Sequence, residues 1–286
     1  MLSFSDLFKG VLVGVANILP GVSGSALAVS MGIYSQIIHA LTDFPKHPKK
    51  SLQTLLPYII GALCGVIGLS FTIEYLFAHY PLQTSLIFMG LILGGVPSVF
   101  SRAVKTGSTT TCIGVCLAAF LLVTILSGAD PSGSQPVSLT PSLSCGLKLF
   151  PLGILGAATM IIPGISGSML LMMIGYYQPL LTSVNHFFKS MALLNFSSAW
   201  AEFLILLPFG LGILTGFFLC ARLIDTLMTH FGSVTYCAIL GLVLSSPIAI
   251  LLEIPRQFFT APNIVSGILL FSFSLIFTCW YSGKGG

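Results

Sequence analysis

Long apolar stretches alternate with short polar ones along this chain, and their lengths predict helices that cross a membrane. Apolar segments cover about 8–41, 55–77, 84–101 and 111–129. A stretch rich in Ser and Pro follows at 130–147, then further apolar segments at about 148–184, 201–221, 233–252 and 263–281. About 20 apolar residues span the hydrocarbon of a bilayer as a helix. The runs are continuous and lack a two-residue alternation, which argues against a β-barrel. The first and fifth segments are too long for one helix. Each carries a glycine-rich break, near Pro20 and near Pro163.

These breaks are copies of each other. Ile18-Leu19-Pro20-Gly21-Val22-Ser23-Gly24-Ser25 returns as Ile161-Ile162-Pro163-Gly164-Ile165-Ser166-Gly167-Ser168, and nine of seventeen positions agree between 18–34 and 161–177. The shared positions include Gly32/Gly175 and Tyr34/Tyr177. A second match aligns 74–93 with 225–244: Glu74 meets Asp225, His79 meets His230, Thr84 meets Thr235, and Gly90-Leu91-Ile92-Leu93 meets Gly241-Leu242-Val243-Leu244. A proline follows each glycine block, Pro97 and Pro247. The sequence therefore predicts an all-α polytopic membrane protein of two repeats, 1–129 and 148–286, joined by an extracytoplasmic connector at 130–147. Each repeat is expected to hold a broken re-entrant hairpin plus about three transmembrane helices. Three is odd, so the second repeat would be inverted relative to the first. Full spanning by one arm of each break is the alternative.

Composition agrees with a membrane chain: 55% of residues are hydrophobic, 6% are charged, and mean hydropathy is +1.03. The first apolar run reads as part of the repeat rather than as a signal peptide, because its motif recurs mid-chain. The net charge of +4 gives no reason to expect a nucleic-acid partner. The seven cysteines lack metal-ligand spacing and read as small core residues. No metal or cofactor is expected. Basic residues orient the chain. Lys46, Lys49, Lys50, Arg102, Lys105, Arg222 and Lys284 mark the cytoplasmic side, termini included, against Lys148, Lys189 and Arg256 outside.

Pro-Gly ends a helical arm, because proline removes a donor and glycine permits a turn. Ser-Gly-Ser then opens the next helix with hydroxyls beside free N–H groups. Irregular backbone inside a bilayer belongs where protein or a water-filled cavity covers it. A helix N-terminus carries partial positive charge and suits an anion such as phosphate. Pro20, Gly21, Ser23, Gly24, Ser25, Pro163, Gly164, Ser166, Gly167 and Ser168 are thus the candidate substrate site. Arg222 is the candidate cation. Small-residue tracts also allow close helix packing, so each break has a purely structural reading too. Glu74, Asp225, His79 and His230 are candidates for ion or proton coupling. Interfacial anchoring competes for the two carboxylates, and snorkelling competes for Arg222.

The run from Gly14 through Asn17-Ile18-Leu19-Pro20-Gly21-Val22-Ser23-Gly24-Ser25 to Met31-Gly32-Ile33-Tyr34 resembles the polyprenyl-phosphate transporter family, the undecaprenyl-phosphate translocases. Pro163–Tyr177 and Gly241-Leu242-Val243-Leu244-Ser245-Ser246 fit the same family. Departures are Ser25-Ala26, where the family often has Gly-Thr, and Asn17, where it often has an acid. The resemblance implies a bacterial plasma-membrane flippase, not an enzyme, that returns undecaprenyl phosphate to the inner leaflet by alternating access. It leaves the coupling ion and the oligomeric state open.

Two rival readings remain open. Both breaks match the Gly-x-Ser-Gly pattern of rhomboid-type intramembrane proteases. Such an enzyme needs a histidine base at its serine, and His39, His47, His79, His186 and His230 all fall at segment ends or in connectors. An ion-coupled transporter of a small soluble anion would use the same broken helices. The topology is testable. Single cysteines introduced at 46–50 and 102–106 should label from the cytoplasmic side, and those at 130–147 from the outside. Labelling of 46–50 and 130–147 from one face would end the inverted arrangement.

Overall fold

The computed structural model describes residues 3–18, 22–104, 109–128, 137 and 139–283, apart from the side chains of 18, 70, 71, 109, 282 and 283. Its secondary structure is helical, with no strand among the described residues. The first half runs α1 (Phe4–Ile18), α2 (Gly24–Ser30), α3 (Tyr34–Asp43), α4 (Pro48–His79), α5 (Pro81–Gly94), α6 (Val96–Val104) and α7 (Thr109–Ser127). The second half runs α8 (Leu143–Ile161), α9 (Gly167–Met173), α10 (Tyr177–Ala192), α11 (Phe196–His230), α12 (Gly232–Leu252) and α13 (Ala261–Gly283).

Seven stretches are long and apolar enough to cross a bilayer by length and composition: Pro48–Leu69, Pro81–Val104, Thr110–Ser127, Leu143–Ile161, Phe196–His230, Gly232–Leu252 and Ala261–Tyr281. The chain is a multi-pass membrane protein. Six of the seven are the spans expected beyond the breaks. The seventh, α8, is the arm before the second break, 19 residues long against 15 in α1.

Local structure repeats with the sequence. α2 and α9 are seven residues each, and Ser23 (φ −93°, ψ 117°) and Ser166 (φ −86°, ψ 120°) hold the same extended N-cap conformation. Each helix ends at a left-handed glycine, Gly32 (φ 72°) and Gly175 (φ 76°), a conformation that only glycine adopts without cost. α4 and α11 each carry an internal proline, Pro57 and Pro208. Both long helices end on a histidine bonded back to its own last turn, His79 Nδ1 at 3.0 Å from the Tyr75 carbonyl and His230 Nδ1 at 3.0 Å from that of Thr226. The next helix then starts with a threonine bridging the joint. Thr84 Oγ1 donates to Tyr80 O at 2.8 Å, and Thr235 Oγ1 to Phe231 O at 2.9 Å.

The chain forms two compact units. One comprises Met1–Gly128, Ile162–Ile165 and Ala221–Gly286; the other comprises Ala129–Ile161 and Ser166–Cys220. Within the first, α1 lies on α4 so closely that a Cβ on Gly61 would overlap the Leu7 carbonyl. Within the second, Gly212 of α11 meets the Phe150 carbonyl of α8 in the same way. Small residues let backbones approach where lipid offers no hydrophobic drive to associate. A core of Leu149, Leu180 and Ile205 fills the second unit, with Leu152, Leu171 and Phe209 against it.

The first unit also holds an exchange. Gly90 of α5 packs on Phe271 and Ser274 of α13, the last helix of the second half. Its counterpart Gly241 of α12 packs on Cys116 and Ala119 of α7, the last helix of the first half. Each half thus lends its final helix to the other. Cys112 and Cys237 are joined as a disulfide across the α7–α12 contact, with Cα atoms 5.4 Å apart. The lack of any short spacing between these two residues hid the pair.

One expected segment is divided. Residues 84–101 form α5 and α6 with a joint at Gly95, whereas α12 runs unbroken through Pro247. At the joint, Ser30 Oγ donates to the Ile92 carbonyl at 2.6 Å, and Gly95 touches Ser30 so closely that a Cβ would overlap it. The second half has Ser246 at the matching position, whose Oγ bonds back to the Leu242 carbonyl at 3.3 Å. Replacing Gly61 or Gly212 with leucine should lower the thermal unfolding midpoint in detergent, since overpacking costs about 1–3 kcal/mol. Gly68→Leu, where nothing lies within 4 Å of an added Cβ, is the control. Equal midpoints for all three would refute the close-packing account.

Candidate functional site

The first break is a built structure. Ser23 caps α2, its Oγ accepting from the Ala26 N–H at 3.4 Å and lying 2.8 Å from Ser25 Oγ. Gly24 fits against Asn17, whose side chain an added Cβ would meet at 2.5 Å. Asn17 in turn donates to the Val13 carbonyl of its own helix at 3.1 Å, which fixes the side chain that Gly24 meets. Most of α2 is buried. Pro20 and Gly21 lie outside the described residues.

Ile162–Ile165, the Pro-Gly part of the second break, belongs to the same compact unit. Ser25 Oγ donates to the Ile162 carbonyl at 3.3 Å, so a hydroxyl of one break satisfies a backbone acceptor of the other. Pro163 is fully buried. Gly164 sits at φ +83°, and a Cβ there would overlap the Leu242 carbonyl of α12. That carbonyl also accepts from Ser245 Oγ at 2.7 Å and Ser246 Oγ at 3.3 Å. The Gly241–Ser246 block noted in the sequence is therefore the floor on which Pro163-Gly164 rests.

Ser166, Gly167 and Ser168 belong to the second unit. Ser166 Oγ lies 2.9 Å from Ser168 Oγ, repeating the Ser23–Ser25 pair. Gly167 packs on Thr159, whose Oγ1 an added Cβ would meet at 2.7 Å. Unlike α2, α9 has no buried residue, and the Ser166 side chain makes no capping bond.

The charged candidates separate. Asp225 pairs with His39 of α3, Oδ1 to Nδ1 at 2.5 Å. Glu74 and Arg222 are exposed and form no ion pair among the described residues. His79 and His230 are tied to their own helices. His39 also lines a cavity of about 280 Å³ with Gln36, Asp43, His47, Lys50 and Thr54. Beside it, Tyr58 donates to Asp6 Oδ1 at 3.1 Å, and its oxygen lies 3.1 Å from the Gln36 side-chain amide. One O–H serves one acceptor at a time, so Asp6 Oδ1 and Gln36 Oε1 share the Tyr58 hydroxyl as alternative acceptors. Sequence reading missed His39, Gln36 and Asp6, because their partners come from helices far along the chain. In the second unit His186 lies 3.5 Å from Glu202. The described residues hold no group of three potential metal ligands.

These features define a multi-pass helical membrane protein interrupted twice by the same serine-lined break. It belongs to the undecaprenyl phosphate translocase-like family, which residues 13–257 match. A protein of Staphylococcus aureus (strain NCTC 8325 / PS 47) named polyprenyl-phosphate transporter is 31% identical over 257 residues, 88% of this chain and 87% of its own. One of the same name from Vibrio cholerae serotype O1 (strain ATCC 39315 / El Tor Inaba N16961) is 24% identical over 258 residues, 85% of this chain and 75% of its own. No solved structure matches.

The break geometry is testable apart from transport. Ser25→Ala should cost about 0.5–1.5 kcal/mol, the usual loss for one hydrogen bond. Gly164→Ala should cost more, because it adds a strained φ to an overlap with the Leu242 carbonyl. Thermal unfolding in detergent reads both, and a Gly164→Ala protein as stable as wild type would contradict the close approach.

Proposed function

We propose that this chain carries undecaprenyl phosphate, or a closely similar polyprenyl phosphate, across the plasma membrane, with its phosphate passing through the two breaks and its tail remaining in lipid. The contact from Ser25 to the Ile162 carbonyl supports this most, because it puts the Ser-Gly-Ser of one break beside the Pro-Gly of the other. In the first unit Ser23 and Ser25 supply hydroxyls beside the start of α2, and in the second Ser166 and Ser168 repeat them beside the start of α9. Gly24 and Gly167 keep the backbone approachable. The family membership and the printed names of both relatives support the lipid.

On this reading residues 1–129 and 148–286 are inverted repeats, each entered by a re-entrant hairpin, and both termini are cytoplasmic. The matched local geometry of the breaks and the mutual loan of α7 and α13 support a two-fold relation. A pseudo-two-fold axis in the membrane plane gives alternating access by exchanging the conformations of the two repeats. A phosphate needs charge compensation on the way. The His39–Asp225 pair supplies a group that can take up and release a proton, with Asp43, His47 and Lys50 as the other titratable groups on the cavity that His39 lines. Glu74 is the matching carboxylate of the first half.

Translocation of labelled undecaprenyl phosphate in proteoliposomes tests the reading. The Ser23→Ala/Ser166→Ala double variant should reconstitute normally and transport several-fold more slowly, since two bonds at about 0.5–1.5 kcal/mol each are lost. Asp225→Asn and His39→Gln should each flatten the pH profile of the rate. Equal transport by protein-free vesicles would end the proposal. Movement of inorganic phosphate without the lipid would favour a soluble-anion carrier. An unchanged pH profile in both charge variants would reduce the pair to a structural tie.

A further inference from the structure

We infer that Arg102 and Tyr236 form a one-sided phosphate station, separate from the serine-lined breaks, at the end of α6 that the basic residues mark as cytoplasmic. The inference rests on the phosphate-lipid reading and adds a place where the headgroup waits on that side. A shallow surface pocket of about 20 Å³ in the first unit is lined by Gly32, Tyr34, Ser35, Ser98, Arg102 and Tyr236, among others. Arg102 is exposed, and no described carboxylate lies within ion-pair distance of it. Its partner is an aromatic side chain. The guanidinium carbon lies 5.8 Å from the centre of the Tyr236 ring, and Nη1 donates to Tyr236 Oη at 3.4 Å. The bond to Tyr236 Oη holds one edge of the guanidinium and leaves its remaining N–H groups to grip an anion, a geometry that suits phosphate oxygens.

Position favours the same conclusion. Gly32 and Tyr34 belong to the motif that follows the first break, so the pocket lies at the far end of α2 from Ser23 and Ser25. α2 is seven residues, about 10 Å of helix. A headgroup leaving the break on this side has that short distance to travel.

The station has no twin. The turn of α12 matching Arg102 is Leu252-Glu253, and the residue matching Tyr236 is Ser85. A two-fold carrier has no built-in direction. A cation held against a tyrosine at this end of the fold and not at the matching end of α12 would hold phosphate there and set a preferred end state. A plainer role also exists: a base in the last turn of α6 favours that helix. That role would affect stability and not the choice between lipids.

Native mass spectrometry of the full chain in micelles separates these roles, using undecaprenyl phosphate and, as phosphate-free control, undecaprenol. Arg102→Gln should weaken undecaprenyl phosphate about tenfold, the scale of one lost charge-assisted contact, with Arg102→Lys between it and wild type. Undecaprenol binding and the unfolding midpoint should not move. Unchanged affinity for the phosphate lipid overturns the station, and so does an equal loss for both lipids. A second arm reads the pocket without lipid binding. Maleimide labelling of Ser35→Cys should be slowed by undecaprenyl phosphate, and that slowing should vanish when Arg102→Gln is added. If inorganic phosphate protects in the same Arg102-dependent way and the lipid does not, the station serves free phosphate and the lipid reading fails instead. Absence of protection by either ligand sinks the station.

Discussion

A helix broken inside a bilayer must find partners for every backbone group the break sets free, because hydrocarbon supplies none. The rest of this structure follows from that requirement. In the first break the Ala26 N–H is met by Ser23 within its own turn, and Asn17 of α1 lies against Gly24. A freed carbonyl of the second break, that of Ile162, is met by Ser25. The second break's Pro-Gly corner is pressed onto the Leu242 carbonyl of α12, which also accepts from Ser245 and Ser246. Among the described residues, polar backbone at the breaks is thus met by a few hydroxyls. Little charge is used, as the composition of the chain requires.

Economy of charge also explains how the ionisable residues divide. Asp225, partly buried, has taken His39 as partner, whereas Glu74 stands exposed near a helix end. The histidines that match in sequence, His79 and His230, satisfy carbonyls of their own helices. Their identity is preserved by a local task, so their matching in sequence says little about chemistry. Asp225 and Glu74 occupy matched places with different surroundings, because the residue facing each comes from a different part of the chain.

Local features were legible and distant ones were not. Both breaks and the helix starts at Gly24 and Gly167 follow from short motifs whose physics is contained in a few residues, whereas the left-handed turns at Gly32 and Gly175 that end these helices after seven residues were not read from them. The spans follow from apolar length. The joint at Gly95 was invisible, since it depends on Ser30 reaching Ile92 across the fold. The same holds for His39 with Asp225, Arg102 with Tyr236, and Cys112 with Cys237. Arg102 entered the sequence reading only as a topology marker. Nothing in its neighbours indicates the aromatic ring, which is supplied by the other half of the chain.

The mutual loan of final helices has a consequence for how the chain is made. α5 finds its glycine-lined partner surface only when α13 has been synthesised, and α7 must wait for α12. The first half therefore leaves the ribosome with two interfaces unfilled and cannot mature as an independent piece. The same pairing is what two half-length chains would adopt as a swapped dimer, each placing its last helix on the other. A single polypeptide with this arrangement has the form of such a dimer after fusion, with the residues at 130–147 as the seam.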